Sequence, residues 1–210
     1  MTETESAFRT AKDELSLLRW VWGWHPVVGP AMIVFLLGGM GYYFGLGSWL
    51  TPLALVVAVP IWYQGMRYIN RNYDTVKAGY LSDVEQFGPA VLEAAGMDES
   101  ATVYRLVSVP ADRLPFVEAP TKVEAAMVGV GEDAVWIYDQ TTLDLMFLKG
   151  TVGTEPVLVR TLDYGTIESV AYEDGEFVID VPDTAEEETV QLPSSDPPTE
   201  LLADLRARLD

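Results

Sequence analysis

Residues 20–66 read WVWGWHPVVGPAMIVFLLGGMGYYFGLGSWLTPLALVVAVPIWYQGM and contain no Asp, Glu, Lys or Arg. A helix rises about 1.5 Å per residue, so crossing a bilayer core about 30 Å thick takes roughly 20 apolar residues. These 47 uncharged residues are long enough for two crossings and a tight turn. We therefore expect a transmembrane helical hairpin over residues 25–68, antiparallel because the connection is too short to hold a domain.

The hairpin has a recognisable internal order. We expect helices at about 27–44 and 50–68, with Pro60 kinking the second because it lacks a backbone N–H. Gly41 and Gly45 match the small-xxx-small pattern that lets membrane helices approach closely. They pack either against the protein's own second helix, which we favour, or against another copy.

Aromatic side chains gather around the ends of the hairpin and at its turn. Indole and phenol rings favour the membrane–water boundary, where the ring is half-buried and the polar atom stays wet. We therefore predict interface anchors, with residues 1–24 as an amphipathic interfacial segment; a ligand-binding aromatic cluster is the alternative. The predicted anchors are Trp20, Trp22, Trp24, Trp49, Trp62 and Tyr63.

Flanking charges predict the orientation. Basic residues precede the hairpin (Arg9, Lys12, Arg19) and follow it (Arg67, Arg71, Lys77), whereas the turn has none. The positive-inside rule then places both termini in the cytoplasm, so the protein is predicted to be a multi-pass protein of the plasma membrane. No ionisable residue of the kind that marks an ion pathway lies among residues 20–66 except His25, which favours anchoring over conduction.

Residues 69–97 are predicted to form a helical stalk. Apolar residues recur there at spacings of three and four, beginning with Ile69, Tyr73, Val76 and Tyr80. This stripe either pairs with another copy as a coiled coil or covers the following domain. Gly79 and the Gly88-Pro89 pair are predicted breaks.

Charge divides the chain. Residues 1–97 carry six basic and eight acidic side chains, a net charge of −2, whereas residues 98–210 carry seven and twenty-four, a net charge of −17. Such a surface repels nucleic acid and folds best where salt screens the carboxylates. With only four Lys against nine Arg, the composition resembles that of haloarchaeal proteins.

Residues 98–210 are predicted to be an acidic, soluble β domain. Alternating apolar residues and turn signals predict seven antiparallel strands, with a hairpin at Asp174-Gly175. An amphipathic helix follows, with Asp196 as its N-cap and Pro197-Pro198 opening it. The predicted strands are 123–130, 134–139, 143–148, 157–162, 167–172, 176–181 and 188–192, and a further strand near 103–109 is an additional expectation.

The runs AMVGVGEDAVWIYD, YGTIESVAYEDGEFVIDV and PPTELLADLRARL resemble the bacterial and archaeal branch of the pleckstrin-homology-like (PH-like) domains. The resemblance implies an α+β fold in which a seven-stranded antiparallel barrel or sandwich is capped by a C-terminal helix. Phosphoinositide-binding members use Lys and Arg between the first two strands. Glu132 and Asp133 stand there in this chain, which argues against binding of that headgroup.

Several chemistries are disfavoured. The chain has no Cys and a single His, His25, so thiolate sites and a soluble Ser-His-Asp triad are excluded. We predict no catalytic residue, cofactor or metal. The predicted function is a scaffold or accessory subunit of a membrane complex. The candidate partners are the bilayer, an unidentified membrane or cytoplasmic protein, and a second copy of the chain. The alternative is a subunit of a small oligomeric channel or transporter.

Overall fold

The structure is a computed structural model that describes residues 6–25, 27–45, 50–111, 113–151, 158–182 and 187–209. It is an α+β protein with antiparallel sheets and a C-terminal helix, as the sequence predicted. The helices are α1 Ala7–Asp13, α2 Leu17–Trp24, α3 Val28–Tyr43, α4 Leu50–Ala94 and α5 Thr199–Leu209. The strands are β1 Thr102–Ser108, β2 Lys122–Val130, β3 Ala134–Asp144, β4 Lys149–Thr151, β5 Arg160–Asp163, β6 Ser169–Glu173, β7 Glu176–Pro182 and β8 Glu187–Pro193.

The chain divides into two compact units. The helical unit comprises Met1–Gly79, Ala111–Thr121 and Leu145–Leu148. The sheet unit comprises Tyr80–Pro110, Lys122–Asp144 and Lys149–Asp210. The helical unit therefore takes two short segments from the part of the sequence that was predicted to be wholly β domain.

Local signals fix the helix ends of the helical unit. The Ser6 side chain accepts a hydrogen bond from the Arg9 backbone N–H at 3.1 Å and caps α1. His25 follows α2, and its Nδ1 atom accepts from the backbone N–H groups of Val27 and Val28 at 3.2 and 3.0 Å, so it caps the start of α3. Beyond α3, Gly45 adopts the left-handed conformation (φ +68°) that ends many helices.

No single helix in the described ranges combines the length and apolar content needed to cross a membrane; α2 and α3 meet that standard only as a pair bent by 100°.

Helix α4 runs for 45 residues without interruption, so the predicted breaks at Gly79 and Gly88-Pro89 are wrong. Pro89 removes one backbone hydrogen bond, but packing around it outweighs that local loss. A methyl group on Gly88 would lie 2.6 Å from the Met127 Cγ atom, and Val84 and Leu92 are fully buried. No helix end marks the predicted boundary between hairpin and stalk.

The sheet unit contains two antiparallel sheets. One has the order β1-β2-β3-β4, with β5 also paired to β3, and the other has the order β6-β7-β8. The described residues contain eight strands, of which seven (β2 to β8) lie from residue 122 onward. The eighth, β1, confirms the further strand that was expected near 103–109, and it pairs with β2 along its whole length.

One strand prediction is wrong. The expected strand 143–148 does not form, because β3 continues to Asp144 and Leu145–Leu148 lies outside any strand. Thr141, inside the expected gap, pairs with Ala125, and its hydroxyl donates to the Ala125 carbonyl. The polar residues that suggested a break are thus held within the ladder.

The core of the sheet unit lies between the two sheets and α5. Asp174 and Gly175 both have positive φ, 51° and 86°, which confirms the predicted tight hairpin between β6 and β7. Helix α5 begins at Thr199 rather than at Pro197, since neither proline is helical. The buried residues of this core are Leu106, Ala126, Val128, Val130, Val135, Ile137, Ile167, Val170, Phe177, Ile179, Val190, Leu192, Leu201 and Leu205.

Candidate functional site

The surface of the helical unit is unusually apolar. Of the 23 large apolar residues exposed in the described part of the chain, 20 fall within residues 17–63. Phe35 is 78% exposed and Val56 is 69% exposed, although both lie in helices that could have turned them inward. Soluble monomers rarely expose contiguous apolar patches larger than a few hundred Å², so this surface indicates contact with lipid or with another protein.

The three tryptophans of α2 have different surroundings in the structure. Trp20 and Trp24, one helical turn apart, stack with ring centroids 6.3 Å apart and are 0% and 1% exposed. The Trp20 Nε1–H donates to the Leu145 carbonyl at 2.6 Å. Protein therefore encloses both rings, while Trp22 is half-buried. Sequence reasoning missed this because Leu145 is 125 residues away.

Trp62 and Tyr63 lie on α4 beside a loop of the same unit. The Phe116 ring meets Trp62 edge-on at 6.4 Å and is 74% exposed, and Tyr63 is 47% exposed. Asn70 holds this loop: its Nδ2 donates to the Phe116 carbonyl at 3.2 Å, and its Oδ1 accepts from the Glu118 N–H at 2.9 Å. Phe116 thus joins the predicted aromatic belt. The interface role of these residues stays a prediction, and Trp49 lies outside the described residues.

Glycines bring the helices together at Gly23 and Gly65 as well as at Gly41 of the expected pair. A methyl group on Gly65 of α4 would lie 2.6 Å from the Gly23 Cα atom of α2, so the two backbones touch there. Gly41 of α3 lies against the Leu50 side chain of α4, which is packing within the chain. A side chain at Gly45 would meet nothing within 4 Å, so that glycine serves the left-handed turn.

An apolar cleft of about 610 Å³ opens between α2, α3 and α4 in the helical unit. Two polar residues, Arg19 and Gln64, also line it. Its remaining walls are apolar apart from the Gly65 backbone, and they comprise Leu18, Trp22, Ile33, Leu36, Leu37, Pro60 and Ile61. We call this space the apolar cleft.

A second cleft, of about 440 Å³, adjoins the first because Arg19 and Gln64 line both. Its other lining residues are Arg67, Tyr68 and Arg71, so we call it the arginine cleft. The Tyr68 hydroxyl accepts a hydrogen bond from the Ser16 N–H at 2.7 Å, and the Arg19 guanidinium lies 5.8 Å from the Tyr68 ring centroid. No described carboxylate forms an ion pair with any of the three arginines.

The apolar stripe of α4 packs inside the chain. Ile69, Val76 and Tyr80 are each 0% exposed, which leaves them no surface for a second copy. Tyr73 is half-buried, and the Lys77 ammonium lies 5.7 Å from its ring centroid. Burial raises the pKa of Tyr80 well above its ordinary value of 10.

A polar network in the sheet unit ties α5 to the β2–β3 turn. The Gly131 carbonyl accepts from Arg208 Nη1 at 2.5 Å and from the Tyr164 hydroxyl at 2.8 Å. Asp204 accepts from Arg208 Nε at 3.2 Å and from the Tyr104 hydroxyl at 3.0 Å. Burial, and then the hydrogen bond to Asp204, raise the pKa of Tyr104.

The same β2–β3 turn is the loop at which the sequence resemblance to PH-like domains would place a lipid headgroup. Glu132 and Asp133 are both exposed there. Their charge is opposite to the one an anionic headgroup requires, so the expectation against phosphoinositide binding stands as a prediction. Within the described ranges no three His, Asp or Glu side chains converge on a site for a metal ion.

Comparison with known proteins adds little to this geometry. No protein-family model matches the sequence, and no curated protein matches it significantly. One solved structure that matches is described as the MyTH4-FERM MF2 domain of Dictyostelium discoideum myosin VII, in a mutant form. Identity is 10% and the TM-score is 0.26, over 96% of this chain and 36% of that one.

Proposed function

We propose that this chain is a non-enzymatic membrane protein that holds an acidic β domain at the cytoplasmic face of the plasma membrane. The observation that carries the proposal is the outward-facing apolar surface, since 20 of the 23 exposed large apolar residues lie within residues 17–63. In water such exposure would cost roughly 25 cal/mol per Å². In a bilayer it is favourable, so lipid is the environment that fits these side chains.

The proposed topology is a hairpin over residues 25–68 with both termini in the cytoplasm. Support comes from the charge-free stretch of 47 residues and from the basic residues on both of its flanks. Gly41 against Leu50 supports close packing of the two helices within one chain. The basic shoulders Arg19 and Arg67 would then lie near the anionic inner surface of the membrane.

The sheet unit is proposed to be a PH-like module that binds another protein, as a scaffold or as an accessory subunit of a membrane complex. The sequence resemblance and the pair of antiparallel sheets with a buried C-terminal helix support this assignment. The net charge of −17 on residues 98–210 favours a protein partner over anionic lipid or nucleic acid. We propose neither a cofactor nor a catalytic residue.

The alternative is a subunit of an oligomeric channel or transporter. The exposed apolar surface fits this alternative too, because it could meet other copies. The anchor is favoured because residues 20–66 offer no Asp, Glu, Lys or Arg side chain for a conduction path. The mass of the detergent-extracted protein separates the two: a defined homo-oligomeric ring indicates a channel, and a monomer or an unlike partner indicates the scaffold.

Membrane extraction tests the anchor. The full chain should sediment with membranes and resist washing with salt and with alkaline carbonate. A Glu in the bilayer costs about 2–3 kcal/mol, so the double variant Phe35→Glu/Val56→Glu should shift protein to the soluble or degraded fraction. The control Thr75→Glu adds a charge at an exposed position of α4 outside the hairpin and should leave extraction unchanged. Release of the unaltered chain by a salt wash would refute the anchor.

A reporter fused after Asp210 tests the orientation. A reporter that is active only in the cytoplasm should give signal, and one that is active only outside the cell should not. The reverse pattern would overturn the proposed topology while leaving the membrane anchor intact.

A further inference from the structure

We infer that the arginine cleft and the apolar cleft together bind one anionic phospholipid. The phosphate would lie among Arg19, Arg67 and Arg71, and an acyl chain would lie along the apolar cleft. The inference rests on the membrane location proposed above. It assigns a ligand class to a site in the helical unit, outside the β domain.

Charge is the first argument. The chain has 32 acidic and 13 basic side chains, so an arginine has many carboxylates with which to pair. Arg105, Arg160 and Arg208 do form such pairs. Arg19, Arg67 and Arg71 form none among the described residues, and no Asp or Glu occurs in residues 15–73. Three guanidinium groups held together without a counter-ion favour an anionic ligand, and the planar guanidinium fork matches phosphate oxygens.

The construction of the site is the second argument. Arg67 and Arg71 are one turn apart on α4, and Arg19 comes from α2, which crosses α4 at the Gly23–Gly65 contact. That contact allows the two backbones to touch and therefore sets the distance between the arginines of the two helices. The Tyr68 ring under Arg19, and its bond to the Ser16 N–H, further order this side of the cleft.

The shape of the ligand follows from the junction of the two clefts. Arg19 and Gln64 line both spaces, so a polar chamber of about 440 Å³ lies next to an apolar one of about 610 Å³. Ligand sites typically enclose about 300–1,000 Å³ of mostly apolar space with a few polar groups. A free phosphate ion would use only the first chamber. A helix from a second copy would fill the apolar cleft but would leave the arginines without a partner.

Native mass spectrometry of the full chain in non-ionic detergent tests the inference. Dioleoyl phosphatidylglycerol should be retained at least about tenfold better than dioleoyl phosphatidylcholine, which has the same chains and a neutral headgroup, since the preference rests on charge-assisted hydrogen bonds. The variant Arg67→Gln/Arg71→Gln should lose this preference. Arg9→Gln, an exposed arginine in the same unit and outside the cleft, should retain it.

A second pair of variants tests the apolar cleft. Leu36→Trp enlarges a side chain that lines it and should weaken retention of both lipids, whereas Leu55→Trp enlarges an exposed side chain elsewhere on the apolar surface and should not. Inorganic phosphate serves as the free-anion probe. Displacement of phosphatidylglycerol by phosphate, with no effect of Leu36→Trp, would indicate an anion site and overturn the lipid assignment.

Equal retention of the two lipids by the unaltered chain, or unchanged preference in Arg67→Gln/Arg71→Gln, would also overturn it. Membrane extraction of the same variants keeps this inference separate from the proposed anchor. If all variants stay in membranes but none prefers phosphatidylglycerol, only the lipid site fails. If the unaltered chain leaves the membrane in salt, the anchor fails, and the mass measurement still decides the lipid site.

Discussion

The helical unit exposes many of its large apolar side chains, whereas the sheet unit buries most of its own. In the helical unit, Phe35 and Val56 point outward, and the glycine contact between α2 and α4 lies inside. In the sheet unit, Phe177 and Ile179 are fully buried beneath a surface rich in carboxylates. Burial is favourable only relative to the surrounding solvent, so the inversion indicates that the two units are adapted to different surroundings.

The two parts of the chain also differ in net charge. Residues 1–97 have a net charge of −2, and residues 98–210 have a net charge of −17. Self-repulsion therefore acts mainly on the second part and is weakened by salt, since the Debye length is about 3 Å at 1 M. Apolar surroundings should matter most to the helical unit and salt most to the sheet unit.

The largest effect is expected from Gly65→Leu. The new side chain would overlap the Gly23 backbone, which cannot move aside as a flexible side chain can, so we expect a loss of about 4 kcal/mol or more, or failure of the helical unit to fold. Hydrogen exchange followed by mass spectrometry resolves the two units. Gly39→Leu is the control, because a side chain there would meet nothing within 4 Å. Equal hydrogen exchange in Gly65→Leu and Gly39→Leu would contradict the Gly23–Gly65 contact.

Phe177→Ala should destabilise the sheet unit, because it truncates a buried core side chain. Phe177 is 0% exposed, and truncating a buried phenylalanine typically costs about 3–5 kcal/mol. The matched control is Phe147→Ala, since Phe147 is 71% exposed and its truncation should cost less than about 1 kcal/mol. Urea denaturation measures both. A Phe147→Ala loss as large as that of Phe177→Ala would mean that the exposed rings of the helical unit are not a solvent- or lipid-facing surface.

Alkaline pH should destabilise the sheet unit through Tyr80. Burial raises its pKa in the folded state, so the unfolded chain loses this proton first. The contribution of the protonated Tyr80 phenol to the free energy of unfolding is fully present below a pH of about 10. Above that pH it falls by about 1.4 kcal/mol per pH unit. Tyr80→Phe should lessen that slope. Denaturation midpoints measured from about pH 8 to pH 11 test this, and an unchanged slope in the variant would refute it.

The smallest effect is expected at the Arg105–Glu85 ion pair of the sheet unit. Glu85 is 59% exposed, and exposed pairs typically contribute between about 0 and 1 kcal/mol. Glu85→Gln also removes one negative charge from an acidic surface, which offsets part of that loss. Urea denaturation at low and at molar salt should therefore show little change in either condition. A loss above about 2 kcal/mol would show that individual pairs, not the overall charge, control this unit.

Local patterns were sufficient for part of the fold. The alternating residues of β7, the Asp174-Gly175 turn and the leucines of α5 are set by neighbours in sequence, and these predictions are confirmed. Gly79 and Pro89 carried equally clear local signals, but α4 packs against α1 at Gly79 and against β2 at Gly88, and these contacts outweighed the local signals. A propensity of about 1–3 kcal/mol is easily outweighed by packing over several turns.

The candidate site was less accessible from sequence. Arg19, Arg67 and Arg71 were visible as flanking charges, but their meeting depends on a contact between Gly23 and Gly65, which are 42 positions apart. The burial of Trp20 depends on a segment 125 positions away. No spacing rule connects such residues, so they could be recognised only after the chain was folded.

The placement of the tryptophans has an optical consequence. Five of the six, at positions 20, 22, 24, 49 and 62, belong to the helical unit, and only Trp136 belongs to the sheet unit. The intrinsic fluorescence of this protein is therefore almost wholly a signal from one unit. Replacing Trp136 with Phe would make that signal exclusive. Quenchers dissolved in lipid and in water could then report the surroundings of the helical unit without any attached dye.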